Sequence, residues 1–291
     1  MLRSTTASVP SAVVRIAVAA NTASGGGFDP APLLAALPRA QLFACDDLDG
    51  IAAAAPDRIV VAGGDGTVGP VAAVAGELGV PLAVVPVGTA NDFARAHSLP
   101  TKLEAAAERA RTGTTTRALE LGRLADERPF VNVASAGLAS VAARNAQPLK
   151  PRLGPLAYAV GAARAAASER PLAVTVGVDG EEVFAGPCWQ AIVAVSGAFG
   201  GGSGVAEAQP DDGVLDVVVL PAGSRAGLAR RAWGMRRQTI AQQRDVIHAR
   251  GHVVAVAMPE GAEINVDGEI RPSGLERVTV RRYAFDLVVP A

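Results

Sequence analysis

The segment from Arg58 to Arg95, RIVVAGGDGTVGPVAAVAGELGVPLAVVPVGTANDFAR, places the tightest limits on how this chain folds. Its two apolar runs, Ile59–Ala62 and Leu82–Val87, predict buried strands, and each run ends in a turn of small and polar residues. A helix-compatible stretch separates them, so the segment predicts a strand–helix–strand unit of an α/β fold. Ligands of open α/β sheets bind beyond the carboxyl ends of the strands, and we therefore expect both turns to face one crevice.

The first turn, Gly63-Gly64-Asp65-Gly66-Thr67, has the composition of a phosphate-binding loop. Glycines let the backbone turn sharply and bring its N–H groups close to a polyphosphate, and the amino end of the next helix adds partial positive charge. Gly64, Gly66 and Gly69 also match the pattern G-x-G-x-x-G, which alone is a weak sign of nucleotide binding. By itself, the turn is equally typical of a tight strand-to-helix connection.

Together with the second turn, these residues resemble the bacterial diacylglycerol-kinase-like lipid kinases, which share a superfamily with sphingosine kinases and NAD kinases. The family's G-G-D-G-T corresponds to Gly63–Thr67, and its P-x-G-T-x-N-D-F-A-R is present in full as Pro86–Arg95. Its N-P-x-S-G element is matched at three positions, with Thr22 in place of proline. The ATP site implied by the resemblance comprises Asn21, Ser24, Gly25, Gly63, Gly64, Asp65, Gly66, Thr67, Gly88, Thr89, Asn91 and Asp92.

The hydrophobic pattern changes from helical to alternating after Gly113-Thr114-Thr115-Thr116. We expect an α/β, Rossmann-like nucleotide-binding domain over residues 1–116, followed over residues 117–291 by an antiparallel β-sandwich or barrel-like domain with helical inserts. The resemblance implies that this second domain holds the lipid substrate and a structural metal. Its expected strands are Ala118–Leu124, Phe130–Ala134, Leu172–Val178, Gln190–Val195, Val214–Leu220, Val253–Ala257, Glu263–Val266, Arg277–Val280 and Phe285–Val289.

Composition excludes several classes of protein. The chain has 291 residues, 49% of them hydrophobic, and its net charge of −1 gives no reason to expect nucleic-acid binding. Its two cysteines, Cys45 and Cys188, are far apart and lack a C-x-x-C spacing, which fits a reducing compartment. The apolar run Val13–Ala20 is too short for a signal core or a membrane span. We expect a cytoplasmic protein, with peripheral attachment to the inner face of the membrane left open.

The segment Asn265–Ile270 contains an Asp-Gly pair flanked by apolar residues, which predicts a two-residue β-hairpin. The lipid-kinase family has a D-G-E motif here, at Asp267-Gly268-Glu269. Alternate residues of a strand share a face, so both carboxylates are expected at the cleft, although the turn between them weakens this argument. The resemblance favours Glu269 as the general base, with Asp267 orienting it or helping to hold the metal of the nucleotide. If neither is the base, Asp65 is the next candidate.

The segment Asp211–Asp216, DDGVLD, is typical of an ordinary turn before a strand and less often of a Mg²⁺ site. The resemblance implies a structural Mg²⁺ held by the carboxylate of Asp212, with the backbone carbonyls of Gln209 and Val214 nearby. His248 and His252 have the spacing of two zinc ligands on one helical face, but no third ligand is near. We expect solvent-facing histidines.

Arginines surround the apolar residues of a helix-compatible segment, 225–240, as in a solvated helix or, less often, a helix lying on an anionic membrane. They are Arg225, Arg230, Arg231, Arg236 and Arg237. The chain also departs from the family pattern: Gly69 and Pro70 replace the usual N-E, and Glu120 and Ala139 each replace an Asp. These departures remove polar contacts that relatives have.

The leading hypothesis is an ATP- and Mg²⁺-dependent kinase that phosphorylates diacylglycerol or another long-chain alcohol at the membrane surface, in the cleft between two domains. One alternative is an NAD-kinase-like enzyme with a soluble substrate, against which the intact N-D-F-A-R string speaks. Another is a non-catalytic lipid- or nucleotide-binding protein, against which the retained D-G-E motif speaks. The sequence names neither the lipid nor the oligomeric state, for which a homodimer is one option.

Overall fold

The first half of the chain forms a parallel sheet because its apolar runs alternate with helical segments. The computed structural model describes residues 14–149, 156–272 and 274–290. The strands of this sheet are β1 Ile16–Ala20, β2 Gln41–Ala44, β3 Arg58–Gly63 and β4 Leu82–Pro86. They lie in the order β2-β1-β3-β4. β1 and β4 are buried along their full length, which explains their continuous apolar sequences.

Helices cover both faces of the parallel sheet. They are α1 Ala31–Ala36, α2 Leu48–Ala53, α3 Asp65–Leu78, α4 Asp92–Ala96 and α5 Leu103–Thr112. α3 ends at Gly79, whose φ of +66° is the left-handed conformation that glycine adopts at helix ends. The sequence analysis predicted a helix between the two buried strands, and α3 lies there.

The second half is an antiparallel β-sandwich, so the expected fold class is confirmed. Its strands are β5 Thr116–Arg123, β6 Pro129–Phe130, β7 Val133–Gly137, β8 Leu172–Val178, β9 Glu181–Ala194, β10 Ala198–Phe199, β11 Ser203–Gly204, β12 Leu215–Pro221, β13 Ile247–Gly251, β14 Val253–Ala257, β15 Ile264–Val266, β16 Glu269–Arg271 and β17 Val278–Val288. The helical inserts are α6 Leu138–Ala146, α7 Leu156–Ser168 and α8 Arg225–Arg236. Val13, expected in the first strand, lies outside the described residues.

Two expected strand boundaries differ from the structure. The run expected from Phe130 to Ala134 is broken, because Val131 and Asn132 turn between β6 and β7. The two strands expected at 277–280 and 285–289 are one strand, β17, whose register with β5 shifts at a bulge between Arg281 and Phe285. A bulge of this kind interrupts the alternation of side chains, and the sequence pattern therefore suggested two strands.

β17 connects the two halves of the molecule. It pairs antiparallel with β5 and β14, and near its end Leu287 pairs in parallel with Leu82 of β4. The last strand of the chain therefore extends the N-terminal sheet as well as the sandwich. This pairing brings the carboxyl edge of the parallel sheet next to the loops of the second half.

Candidate active site

Three loops that follow β1, β3 and β4 meet at the carboxyl edge of the parallel sheet. The first spans Asn21–Gly27 and the third Val87–Asn91, while the second is the turn from Gly63 through Gly64 into the first residues of α3, Asp65–Thr67. A methyl group at Gly25, where φ is +62°, would overlap the carbonyl oxygen of Val87, and one at Gly88 would lie 2.6 Å from Cα of Gly64. Only glycine permits such close approach. The two turns that were expected to face one crevice lie against each other, and a third loop contacts them.

Side-chain amides fix the shape of these loops. Nδ2 of Asn21 donates to Oγ1 of Thr67 at 3.1 Å, which joins the first loop to the second. Oδ1 of Asn91 accepts the N–H of Gly88 at 2.9 Å, and Nδ2 of Asn91 donates to the carbonyl of Gly88 at 2.8 Å. Asn91 itself has a left-handed φ of +50°, a conformation that asparagine tolerates better than most residues.

The amino end of α3 opens onto the crevice. The helix begins at Asp65, and the first N–H groups of a helix have no partner within it, so they favour an anion. Gly64 and Gly66 are half-buried here, and the hydroxyl of Ser24 lies beside Gly64. Thr89 is exposed on the third loop. These are the features of a site for the phosphates of a nucleotide.

The carboxylate of Asp65 is directed toward the third loop. It accepts the N–H groups of Phe93 at 2.7 Å and Asp92 at 3.1 Å, and therefore caps the amino end of α4. Nδ2 of Asn132 donates to the same carboxylate at 3.2 Å. Burial, followed by the nearby charge of Asp92, raises the pKa of Asp65 against the effect of these donors. Asp65 thus holds two loops together, which leaves it less free to act as a base.

Asp92 is buried and joins the two halves of the molecule. Its carboxylate accepts the N–H groups of Gly201 at 2.9 Å and Gly202 at 3.0 Å, both in the glycine-rich loop between β10 and β11. The guanidinium of Arg95 lies 2.5 Å from the same carboxylate. A cavity of about 370 Å³ is lined by α4, this loop and Ser196. Asp92 was expected at the ATP site, and in the structure its carboxylate contacts the glycine-rich loop of the second half.

The hairpin expected at Asp267-Gly268 is present. β15 and β16 pair antiparallel, and both turn residues have positive φ, +47° and +91°, as a type I′ turn requires. Asp267 points inward, where its carboxylate accepts the N–H groups of Val131, Asn132 and Val133 at 2.8, 3.0 and 3.0 Å. Burial, followed by the nearby Asp65, raises its pKa to about 7. Asp267 therefore anchors the break between β6 and β7.

Glu269 points to the crevice and not inward with Asp267. Its carboxylate occupies the space in which a side chain at Gly66 would lie, so the glycine leaves room for this carboxylate. The guanidinium of Arg128 pairs with it, and the Glu269 side chain is 48% exposed. The expectation that both carboxylates share the cleft fails because the tight turn between them rotates the two side chains apart.

Two residues of the site, Arg128 and Asn132, escaped the sequence analysis. Arg128 precedes β6 and contacts Glu269, whereas Asn132 lies in the strand break and contacts Asp65. Neither belongs to a recognisable spacing pattern. The available sign was the run Arg128-Pro129-Phe130, since proline disfavours a central strand and marks a break there.

The turn expected to hold Mg²⁺ has a different arrangement. Oδ1 of Asp212 accepts the N–H of Val214 at 3.0 Å, and Oδ2 contacts the guanidinium of Arg250, which also contacts the fully buried Asp216. Gln209 is exposed. In the described parts of the chain, no three His, Cys, Asp or Glu side chains form a metal-binding group. An arginine already neutralises the carboxylate of Asp212, so these residues do not fit the expected Mg²⁺.

The family departures have structural consequences. The carboxylate of Glu120 is buried and accepts the N–H of Gly213 at 2.6 Å, and burial raises its pKa to about 7. A side chain at Gly69 would lie 2.8 Å from the carbonyl oxygen of Pro129, so this glycine lets α3 pack on β6.

Pro70 is the sixth residue of α3, beyond the first turn in which proline is favoured, and it cannot donate to the carbonyl of Gly66. Ala139 is buried on α6.

Neither histidine lies on a helix: His248 is on β13, and His252 is in the bend between β13 and β14. Nε2 of His248 on β13 lies 2.7 Å from Oδ1 of Asp216, and its side chain is largely buried, which corrects the expectation that it faces solvent. His252 has a side chain that is 73% exposed, as expected.

Most arginines of α8 have partners within the protein. Arg225 donates to the carbonyls of Ala166 and Glu169, and Arg236 donates to the carbonyl of Gly201. Arg230 and the buried Arg231 both pair with Asp245. Arg237 stacks on Trp233, which is 61% exposed, with 4.7 Å from Cζ to the ring centroid. Among the helices described, none is long and apolar enough to span a membrane.

Family profiles match both halves of the chain. The diacylglycerol kinase catalytic domain matches residues 44–124, and the YegS C-terminal NAD kinase beta sandwich-like domain matches residues 132–289.

Individual proteins agree with these profiles. A Pseudomonas putida protein named "Probable lipid kinase YegS-like" is 34% identical over 249 residues, 82% of this chain and 79% of the relative. The diacylglycerol kinase of Bacillus subtilis is 31% identical over 218 residues, 73% of this chain and 71% of the relative. A solved diacylglycerol kinase structure from Bacillus anthracis superposes with a TM-score of 0.74 at 21% identity, covering 95% of this chain and 97% of that one.

Proposed function

This chain belongs to the family of diacylglycerol-kinase-like lipid kinases, and we propose that it transfers the γ-phosphoryl group of ATP to a hydroxyl of diacylglycerol or a related long-chain alcohol. The observation that carries the proposal is the position of Glu269, whose carboxylate lies against the backbone of Gly66 at the amino end of α3. In a kinase, the base and the phosphate-binding loop must be neighbours, since the base takes the proton of the attacking hydroxyl.

In this proposal the loops Gly63–Thr67 and Gly88–Asn91 bind the phosphates of ATP through backbone N–H groups. These loops carry no basic side chain, so the binding depends on amide dipoles and on the amino end of α3. Asn21 and Thr67 keep the loops in register through their shared hydrogen bond. Mg²⁺ that accompanies ATP would neutralise part of the phosphate charge.

In the proposed transfer step, Glu269 is the base for the proton of the lipid hydroxyl. The lipid oxygen forms a bond to the γ-phosphorus while the bond from that phosphorus to the β,γ-bridging oxygen breaks, and ADP leaves. Glu269 takes the hydroxyl proton. Arg128 holds the carboxylate of Glu269 beside Gly66, and its positive charge lies near the position where the transferring phosphoryl group carries negative charge. Asp65, Asp92 and Asp267 act on the surrounding loops.

We retain residue 116 as the boundary between the two proposed domains. It coincides with the start of β5, where the chain passes from the parallel sheet to the sandwich. The return of β17 to β4 adds a segment of the second domain to the first sheet. The cleft between the domains is the proposed site of phosphoryl transfer.

Radiolabelled ATP incubated with the protein and total membrane lipid tests the function, with NAD as a parallel substrate. We expect label in a phosphorylated lipid that chromatography identifies. Label in NADP instead would favour the soluble-substrate alternative, and ATP binding without any labelled product would favour a non-catalytic protein.

For presentation of the lipid, we propose that α8 touches the membrane through Trp233 and Arg237, whose stacked side chains are free of ion pairs with the rest of the described chain. Trp233→Ala combined with Arg237→Gln should weaken sedimentation with phosphatidylglycerol vesicles at least about fivefold, since a basic residue at such a surface contributes about 1 kcal/mol. Arg230→Gln is the matched control, because Arg230 pairs with Asp245. Equal sedimentation of both variants would place the contact elsewhere.

A further inference from the structure

Asn132 lies where the two halves of the molecule meet. It is 2% exposed and occupies the break between β6 and β7. Its Nδ2 donates to Asp65 at 3.2 Å, and its Oδ1 accepts the hydroxyl of Ser196 at 2.7 Å. Its backbone N–H donates to Asp267 at 3.0 Å, and its carbonyl accepts the N–H of Val195 at 2.9 Å. Both ends of the side chain and both backbone groups are therefore bonded.

We propose that Asn132, held by Ser196, is a positioning residue for phosphoryl transfer that acts through Asp65. The carboxylate of Asp65 caps α4, and α4 follows directly on the third glycine loop. A change in the orientation of this carboxylate therefore moves the backbone N–H groups that the proposed function assigns to the phosphates of ATP. The inference rests on that proposed function for its role in catalysis.

Ser196 supports the orientation of the Asn132 amide in which its donor end faces Asp65. A side-chain amide has a donor end and an acceptor end of nearly equal shape, and only the donor end suits a carboxylate, so Asp65 selects the orientation. The hydroxyl of Ser196 donates to Oδ1 at the opposite end of the same amide. Without that hydroxyl, Oδ1 loses its donor and Asp65 alone holds the amide in place. The two bonds together therefore hold the side chain at both ends.

The side chain of Asn132 is the sole side-chain donor to Asp65 in the described part of the chain. Its other donors are the backbone N–H groups of Asp92 and Phe93, which belong to the element being positioned. Asn132 thus holds Asp65 from outside α4, and it comes from the second half of the molecule. A hydrogen bond to a charged group is among the stronger polar contacts in proteins, and its loss would leave the buried carboxylate of Asp65 with the two backbone donors only.

A double-mutant cycle on ATP affinity tests the proposal. Calorimetry with ATP needs no acceptor lipid. Asn132→Ala should raise the dissociation constant about 10-fold to 100-fold, the range expected for a lost bond to a charged group. Ser196→Ala should raise it by about threefold to tenfold. In an Asp65→Ala background, Asn132→Ala should add less than about twofold, because residues that act through one group are not additive.

Ser140→Ala is the matched control. Ser140 is a buried serine on α6, and its hydroxyl donates to the carbonyl of Gly137 at the end of β7. We expect unchanged ATP affinity in this variant. If Asn132→Ala fails to fold, Ser196→Ala alone still decides, because it removes only one hydroxyl. Equal losses for Asn132→Ala with and without Asp65, or unchanged affinity in Ser196→Ala, would overturn the proposal.

The cycle separates this inference from the proposed function. A wild-type chain that binds ATP but phosphorylates no lipid contradicts the proposed function, while the coupling of Asn132 to Asp65 is still measured. If Asn132→Ala, Ser196→Ala and Asp65→Ala all phosphorylate lipid at the wild-type rate, the inference is contradicted and the proposed function is not. Absence of ATP binding in the wild type overturns both.

Discussion

Two groups of acidic side chains, similar in composition, differ in their main partners, although Asp92 also pairs with Arg95 and Asp212 also accepts the N–H of Val214. The cleft acids, defined as Asp65, Asp92 and Asp267, accept backbone N–H groups from loops at the site. The sandwich acids, defined as Asp211, Asp212 and Asp216, pair with Arg117, Arg250 and His248. Both groups lie in motifs for which the sequence analysis considered a role in catalysis, nucleotide binding or metal binding.

The difference shows that the partner decides what a carboxylate does. A carboxylate that accepts backbone N–H groups fixes a loop, because the donors cannot move without moving the chain. A carboxylate that pairs with an arginine neutralises its charge locally and leaves the loops free. We therefore expect the cleft acids to act on the geometry of the glycine-rich loops and the sandwich acids to act on stability. Loss of a cleft contact should reduce activity, and loss of a sandwich contact should reduce the free energy of unfolding.

The largest expected effect is at Glu269, which contacts the site without fixing a loop. Glu269→Gln retains size and hydrogen bonding but removes the base, so kcat should fall by about 10²-fold to 10⁴-fold with ATP affinity unchanged. Lipid phosphorylation under saturating substrates measures the change. Glu263→Gln is the matched control, since Glu263 also pairs with an arginine, Arg144, on the surface. Normal turnover in Glu269→Gln would move the base to another carboxylate, with Asp65 the next candidate.

A substitution among the sandwich acids should have the opposite profile. Asp216 is fully buried between His248 and Arg250, so Asp216→Ala leaves two partners without their acceptor. We expect the free energy of unfolding in urea to fall by about 2–3 kcal/mol, the range for lost bonds to a charged group, with ATP affinity unchanged. A loss of ATP affinity in a stably folded variant would break the division between the two groups.

His97 lies between the two groups, and its titration tests their electrostatics. Burial, followed by the charge of Arg117 and opposed by Asp211, lowers its pKa to about 4, and its ring packs on Phe93 at 4.4 Å between centroids. The unfolded chain binds a proton near pH 6.5, so it is favoured as pH falls from about 6.5 to about 4. The free energy of unfolding should drop by about 2 kcal/mol between pH 7 and pH 5.

Urea unfolding of the wild type and His97→Gln at both pH values measures this contribution. The variant cannot take up the proton, so its pH dependence should be smaller by that amount. An identical pH dependence in the two proteins would mean that another group causes it.

The smallest expected effect is at Asp212, and it decides whether Arg250 or a metal neutralises this turn. Asp212→Asn should lower the free energy of unfolding by about 1 kcal/mol or less, as for a partly exposed ion pair, and equally in Mg²⁺ and in chelator. Thermal unfolding without nucleotide measures it. A loss confined to the Mg²⁺ buffer would restore the magnesium site predicted from the sequence.

The glycine-rich loops after β3 and β4 were the most predictable part of the molecule. Gly25, Gly64 and Gly88 are positions where backbones approach closely. A glycine-rich turn after an apolar run can be recognised in the sequence itself. The hairpin at Asp267-Gly268 was equally predictable, because an Asp-Gly pair between two apolar runs strongly favours a two-residue β-hairpin turn. The single long strand β17 was not, since its bulge hides the continuity of the pattern.

The sequence by itself determined the α/β order, the sandwich that follows it, the glycine loops and the residue types of the site, because each depends on neighbours within a few positions. Only the tertiary structure decided how the carboxylates are used. Asp92 meets Gly201, Asp267 meets Val131 and Glu269 meets Arg128 across more than a hundred positions of chain in each case. The charge of each partner and its position are set by tertiary packing. The spacing of residues within a motif does not contain this information. A motif therefore identified which side chains carry chemistry, and the fold assigned each one its task.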